Sequence, residues 1–219
     1  MKILAINSAR AIWLIKTVFL NPRGRSLVPA IAGLAERYKF QKLPPAANLN
    51  TQPLDLKFEN GVFTSVEGVP VAVTLSVYDD GLIAETRAST DVSDHFLDDV
   101  LKWVSEEHGL PLYTDLGVEK LYASEIAVQM DLSANIFGAK FSEYAAKLRG
   151  GISNNPNVPM EVVALHFGPD PALTKKVAPF KVERLANVPF EKNEYISTAP
   201  VNTAEHIELL EAIERFGKK

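Results

Sequence analysis

The sequence predicts an α+β fold, a largely antiparallel sheet packed with three to four amphipathic helices, and three observations carry that expectation. Residues 54–88 hold four β-type runs punctuated by Asn-Gly, Glu-Gly and Asp-Gly dipeptides, the pattern of a β-meander. Residues 93–107 and 203–216 repeat apolar side chains at helical spacing. Between them, residues 120–132 alternate apolar and polar types, as a strand with one wet face does.

Taken in order, residues 3–20 are dense in β-branched and aromatic types and predict one or two strands. Within 11–20, Trp13, Ile15 and Phe19 fall on one strand face and Ile12, Leu14, Val18 and Leu20 on the other. A strand apolar on both faces belongs at the centre of a covered sheet, and at an edge it seeks a partner. Asn21-Pro22-Arg23-Gly24-Arg25 reads as a turn, and Ser26 stands as N-cap of a helix over 27–38 that buries Leu27, Ile31, Leu34 and Tyr38. The meander then runs through Leu54–Phe58, Val62–Val66, Val71–Tyr78 and Leu82–Ala88, with hairpins at Asn60-Gly61 and Asp79-Asp80-Gly81.

The next helix should cover about 93–107, with Phe96, Leu97, Val100, Leu101 and Val104 inward and Gly109 at C′. In the strand at 120–132, Tyr122, Ile126, Val128, Met130 and Leu132 face one way. A helix over 134–148 presents Phe137, Phe141, Tyr144 and Leu148, and 152–159 is a loop. Strands at 160–167 and 180–185 and a helix from Thr203 to Phe216 complete the chain. The expected organisation is a single domain over 1–219, with a weak boundary at 43–53. Ser93-Asp94-His95 and Thr203-Ala204-Glu205-His206 share a hydroxyl, an acid and a His at a helix start, either by coincidence or by duplication.

Composition narrows the function classes. The 219 residues contain no cysteine, which removes disulfides, thiolate metal sites and Cys nucleophiles. With 47% hydrophobic and 23% charged residues the chain has a globular composition. Arg10 and Lys16 interrupt the apolar start, so it reads as folded structure of a cytoplasmic protein with no membrane span. The net charge of −4 hides an asymmetry: residues 1–54 hold eight bases and one acid, whereas 55–219 hold fifteen bases and twenty-six acids. An acidic partner, another copy, or the remainder of the fold could each meet that basic segment.

Candidate site residues follow from these features. Arg23, Arg25 and Ser26 at a helix start could hold a phosphate or carboxylate, or the arginines could pair with acids of the same fold. Neither a P-loop nor a G-x-G-x-x-G is present, and no cofactor or metal is expected. His95 and His206 are the candidate acid/base residues, each also readable as an ordinary capping or exposed His. Asp79-Asp80 and Asp98-Asp99 are explained by a turn and a polar helix face, and no G-x-S-x-G or S-x-x-K occurs. Two functions result: a non-enzymatic binding or assembly protein whose basic segment engages an acidic partner or another copy, or a ligand sensor or enzyme holding an anionic compound at 22–26. Nucleic acid is not expected, because the total charge is negative.

Overall fold

A computed structural model describes residues 1–45, 54–131, 141, 143–145, 147–148, 160–170, 172 and 177–216. Its strands are β1 (Lys2–Leu14), β2 (Asp55–Thr64), β3 (Pro70–Tyr78), β4 (Gly81–Thr86), β5 (Glu119–Gln129), β6 (Ala164–Phe167), β7 (Phe180–Arg184) and β8 (Glu194–Ala199). They form one antiparallel sheet in the order β2-β3-β4-β1-β5-β8-β7-β6. The helices are α1 (Thr17–Leu20), α2 (Val28–Arg37), α3 (Thr90–His108) and α4 (Thr203–Phe216), and the described residues between 141 and 148 are also helical. The fold class is therefore the α+β architecture expected. Among the described residues no helix is long and apolar enough to cross a membrane. The chain divides into two compact units, one of Ser8–Ser124 with Val201–Thr203, the other of Met1–Asn7, Glu125–Pro200 and Ala204–Lys219.

In the first unit, β1 alternates as a half-buried strand does: Ala9, Ala11 and Trp13 are fully buried, and Ile12 and Leu14 are half-buried. It lies between β4 and β5, the central position expected for it. The strand stops at Leu14, short of the expected 20, because the chain turns around the β3–β4 hairpin, where Ile15 N–H donates to Asp80 O and Thr17 N–H to Asp79 O. Thr17–Leu20 is then one helical turn that leaves Val18 and Phe19 in solvent.

The meander pairs β2 with β3 and β3 with β4, antiparallel throughout. Asn60-Gly61 is no hairpin. It is a bulge inside the single strand β2, with Asn60 at φ 57° and the register shifting between Phe58 and Gly61. Asp79-Asp80 does close a two-residue hairpin, Tyr78 facing Gly81, yet neither aspartate has positive φ. Gly81 is needed for space instead, since a Cβ there would lie 2.6 Å from Trp13 O.

Helix α3 begins three residues before the expected start, because Ser89 accepts Val92 N–H and caps it. It ends as expected on Gly109 at φ 62°. Its stripe of Phe96, Leu97, Val100, Leu101 and Val104 is buried with Leu34, Tyr38, Phe58 and Leu75 in one cluster. Helix α2 is capped at Leu27, although Ser26 Oγ accepts Val28 N–H at 3.4 Å.

The second unit has its own core of Ile126, Val128, Met130, Val182, Tyr195 and Leu210. Strand β8 was not anticipated, and it pairs with β7 along Lys181↔Thr198 to Arg184↔Tyr195. The Arg184 guanidinium is held by Glu161 at 2.6 Å and stacks on Phe190 and Tyr195 at 4.6 and 5.0 Å. In the helix expected over 134–148, Ala145 is buried, and Phe141, Tyr144 and Leu148 are exposed, the reverse of the expected stripe. Leu132, Phe137 and the whole 152–159 loop lie outside the described residues.

Candidate functional site

The first unit leaves a gap in its core. Helices α2 and α3 approach closely at Gly33, where a Cβ would lie 2.6 Å from Trp103 Cη2. Elsewhere Ala30, Ile31 and Leu34 of α2, Val100, Leu101 and Val104 of α3, and Leu56, Phe58 and Leu75 of the sheet wall a cavity of about 90 Å³. Its deep end is at Phe58 and Leu75, which are fully buried, and its other end is at half-exposed Thr17, Asn21, Leu27, Leu110 and Pro111. Nearly every wall atom is apolar, and such a cavity excludes water and receives apolar groups. Trp13, the largest buried side chain, does not line it.

Trp13 is held aside by a polar network on α3. Its Nε1–H donates to Asp94 Oδ1 at 2.7 Å, and its ring packs on Tyr113 with centroids 4.8 Å apart. Asp94 also accepts from Lys120 Nζ at 2.8 Å and Tyr122 OH at 3.2 Å, and Lys120 Nζ lies 4.0 Å from the Trp13 ring centroid. One turn further on, Asp98 accepts from Tyr113 OH and Lys102 Nζ. Burial and the hydrogen bond to Asp98 push the Tyr113 phenol up to about 12. Burial opposes the Asp98 charge, but the two donors outweigh it and hold the carboxyl below its usual range. Asp99 is engaged separately by Tyr38 OH at 2.6 Å and Arg37 Nη2 at 3.1 Å. The Asp98-Asp99 pair thus serves two different structural networks.

At its half-exposed end the cavity adjoins a surface cleft. Asn21, Leu110 and Pro111 line both, and Pro22, Arg23, Arg25 and Gly109 complete the cleft. The loop carrying the arginines is closed by Asn21, whose Oδ1 accepts Arg25 N–H at 2.9 Å while Nδ2 donates to Arg25 O at 2.8 Å. Arg25 spends Nη1 on His108 O at 3.1 Å and Gly109 O at 3.4 Å, the C-terminus of α3. Arg23 is exposed and makes no hydrogen bond or ion pair to the described residues. Ser26, exposed, is spent on the start of α2.

No protein-family model and no curated protein matches this chain. The site therefore has to be read from its own chemistry.

His95 and His206 sit in different surroundings. His95 is exposed on α3. His206 is fully buried in the second unit, and burial pushes its pKa down to about 4, so the ring is neutral near pH 7. Its Nε2 lies 2.8 Å from Ser197 Oγ, and Ser197 donates its own proton to Lys181 O at 2.8 Å. The serine must then accept from His206 Nε2–H, the opposite of a base activating a nucleophile. Among the described residues no group of three His, Asp or Glu side chains converges as a metal site. Sequence reasoning had placed the arginine loop but missed the cavity, because its walls come from α1, α2, α3, three strands and the 110–111 segment, and no spacing rule joins them.

Proposed function

We propose that the chain is a small-ligand-binding protein whose first unit takes an apolar group into the cavity beneath α2. The observation supporting it is the cavity itself: walled by apolar side chains from α2, α3 and the sheet, and ending at half-exposed residues where a solute can enter. Methyl NMR of the whole protein with hexanol as probe tests the reading. Shifts are expected at Leu34, Leu75 and Val100, and an Ala30→Leu variant that fills the space should lose them. Unchanged methyls up to the solubility limit of hexanol would sink the proposal.

An assembly role for the basic segment is a second reading, favoured by one observation. Val18 and Phe19 are 61% and 51% exposed beside exposed Lys16. Much of the basic excess, however, is met inside the fold, by Arg10–Glu85, Arg37–Asp99 and Lys42–Glu59 pairs of 3.0–3.3 Å. Size-exclusion chromatography at low and high salt separates the readings: association that Phe19→Asp abolishes supports assembly, and a monomer at every salt concentration removes it. A cytoplasmic setting without nucleic acid belongs to both proposals, consistent with the net charge of −4.

A further inference from the structure

The cavity and the arginine cleft share three lining residues, Asn21, Leu110 and Pro111, so the two spaces lie side by side. The two ends differ in chemistry. The cavity has apolar walls, whereas the cleft presents the free guanidinium of Arg23 and the partly engaged one of Arg25. Among the described residues no acidic side chain lines either space, so none of them neutralises the arginines there. The loop that carries both is held in one shape by the two Asn21 hydrogen bonds, which places the charge at the rim before any ligand arrives.

Size narrows the ligand further. An engineered cavity of about 150 Å³ admits benzene, so a space of about 90 Å³ admits about four carbons. From these observations we infer that the ligand is a small aliphatic carboxylate, its chain among Leu34, Leu75 and Val100 and its carboxylate in the cleft beside Arg23. This rests on the cavity reading above and adds the charge and length of the occupant. Guanidinium suits the head group because its fork pairs with both carboxylate oxygens. A cleft beside an apolar hole predicts weak binding of acetate, which lacks the chain that fills the hole.

The test is an NMR titration of the whole protein with straight-chain carboxylates from acetate to octanoate, beside hexanol as the uncharged counterpart. Affinity should rise roughly fourfold per methylene and level off near pentanoate or hexanoate, where the cavity is full. Hexanoate should bind roughly fivefold tighter than hexanol. Arg23→Gln, an exposed substitution that leaves the core untouched, should erase that preference and leave hexanol binding unchanged. Equal affinity for hexanoate and hexanol, or a silent Arg23→Gln, would overturn the carboxylate inference while the cavity reading stands. Failure of both probes to move the Leu34, Leu75 and Val100 methyls would overturn both. Binding of acetate as tight as hexanoate would show a surface anion site and reject the chain-in-cavity arrangement.

Discussion

Asp94 shows how one carboxylate can organise a region. It receives the buried Trp13 indole, Lys120 and Tyr122, three groups from β1 and β5 that would otherwise need other partners. Asp94→Ala leaves the Trp13 N–H unsatisfied in a dry place and should cost about 1–3 kcal/mol in urea denaturation, with Asp94→Asn, which keeps an acceptor, costing less. His206 gives a pH prediction. Its pKa is about 4 in the fold against 6.5 unfolded, so the unfolded chain binds the extra proton and stability falls on acidification. This contribution is complete above about pH 6.5 and is lost towards pH 4, on the order of 3 kcal/mol. Urea midpoints from pH 7 to 4 should show the decline, and His206→Gln should flatten it. Neither residue's role was legible beforehand. Trp13 and Asp94 are 81 positions apart, and nothing near His206 in sequence announces that it would be sealed in a core.

Among the elements, sequence and structure agree where a local pattern fixes the burial. The α3 stripe, the α4 bounds and the β5 alternation through Met130 each follow from periodicity alone. They part where a tertiary contact decides. Residues 17–20 are strand-like in composition, but hydrogen bonds to the β3–β4 turn carry the chain out of the sheet. Asn60-Gly61 has hairpin chemistry, but β2 continues through it because β3 is long enough to pair on both sides. Strand β8 escaped notice because its six residues mix Glu, Ser and Thr with Tyr and Ile. Gly81→Ala forces a methyl against Trp13 O and should cost about 1–3 kcal/mol. Loss of the α3 cap in Ser89→Ala should cost about 1 kcal/mol. Thermal unfolding of both variants checks the order, and a Gly81→Ala protein as stable as wild type would contradict the close approach.

Across the whole molecule the same plan occurs twice. A strand, a helical segment, three meandering strands and a helix occur as β1, α1–α2, β2-β3-β4, α3, and again as β5, the helical residues within 141–148, β6-β7-β8, α4. The equivalence differs from the one the sequence offered. Ser93 does not match Thr203. Thr90 does, at a spacing of 113 residues, and the same spacing relates Ser93 to His206 and Leu97 to Leu210, all six buried. Thr90 and Thr203 exchange hydrogen bonds, each Oγ1 accepting the other's N–H at 3.0 and 2.9 Å. Each substitution removes a different one of these bonds, Thr203→Val orphaning the Thr90 N–H and Thr90→Val the Thr203 N–H, so each should cost about 1–3 kcal/mol in urea denaturation.

The arginine loop was legible because Pro, Gly and paired arginines announce it. The cavity it borders arises from three-dimensional packing and was not. Intermolecular NOEs between bound hexanoate and the protein test the account most directly. The cavity account predicts NOEs from the chain protons to the Leu34, Leu75 and Val100 methyls. NOEs confined to exposed Val18, Phe19 or Val66, or none at saturating hexanoate, would contradict it.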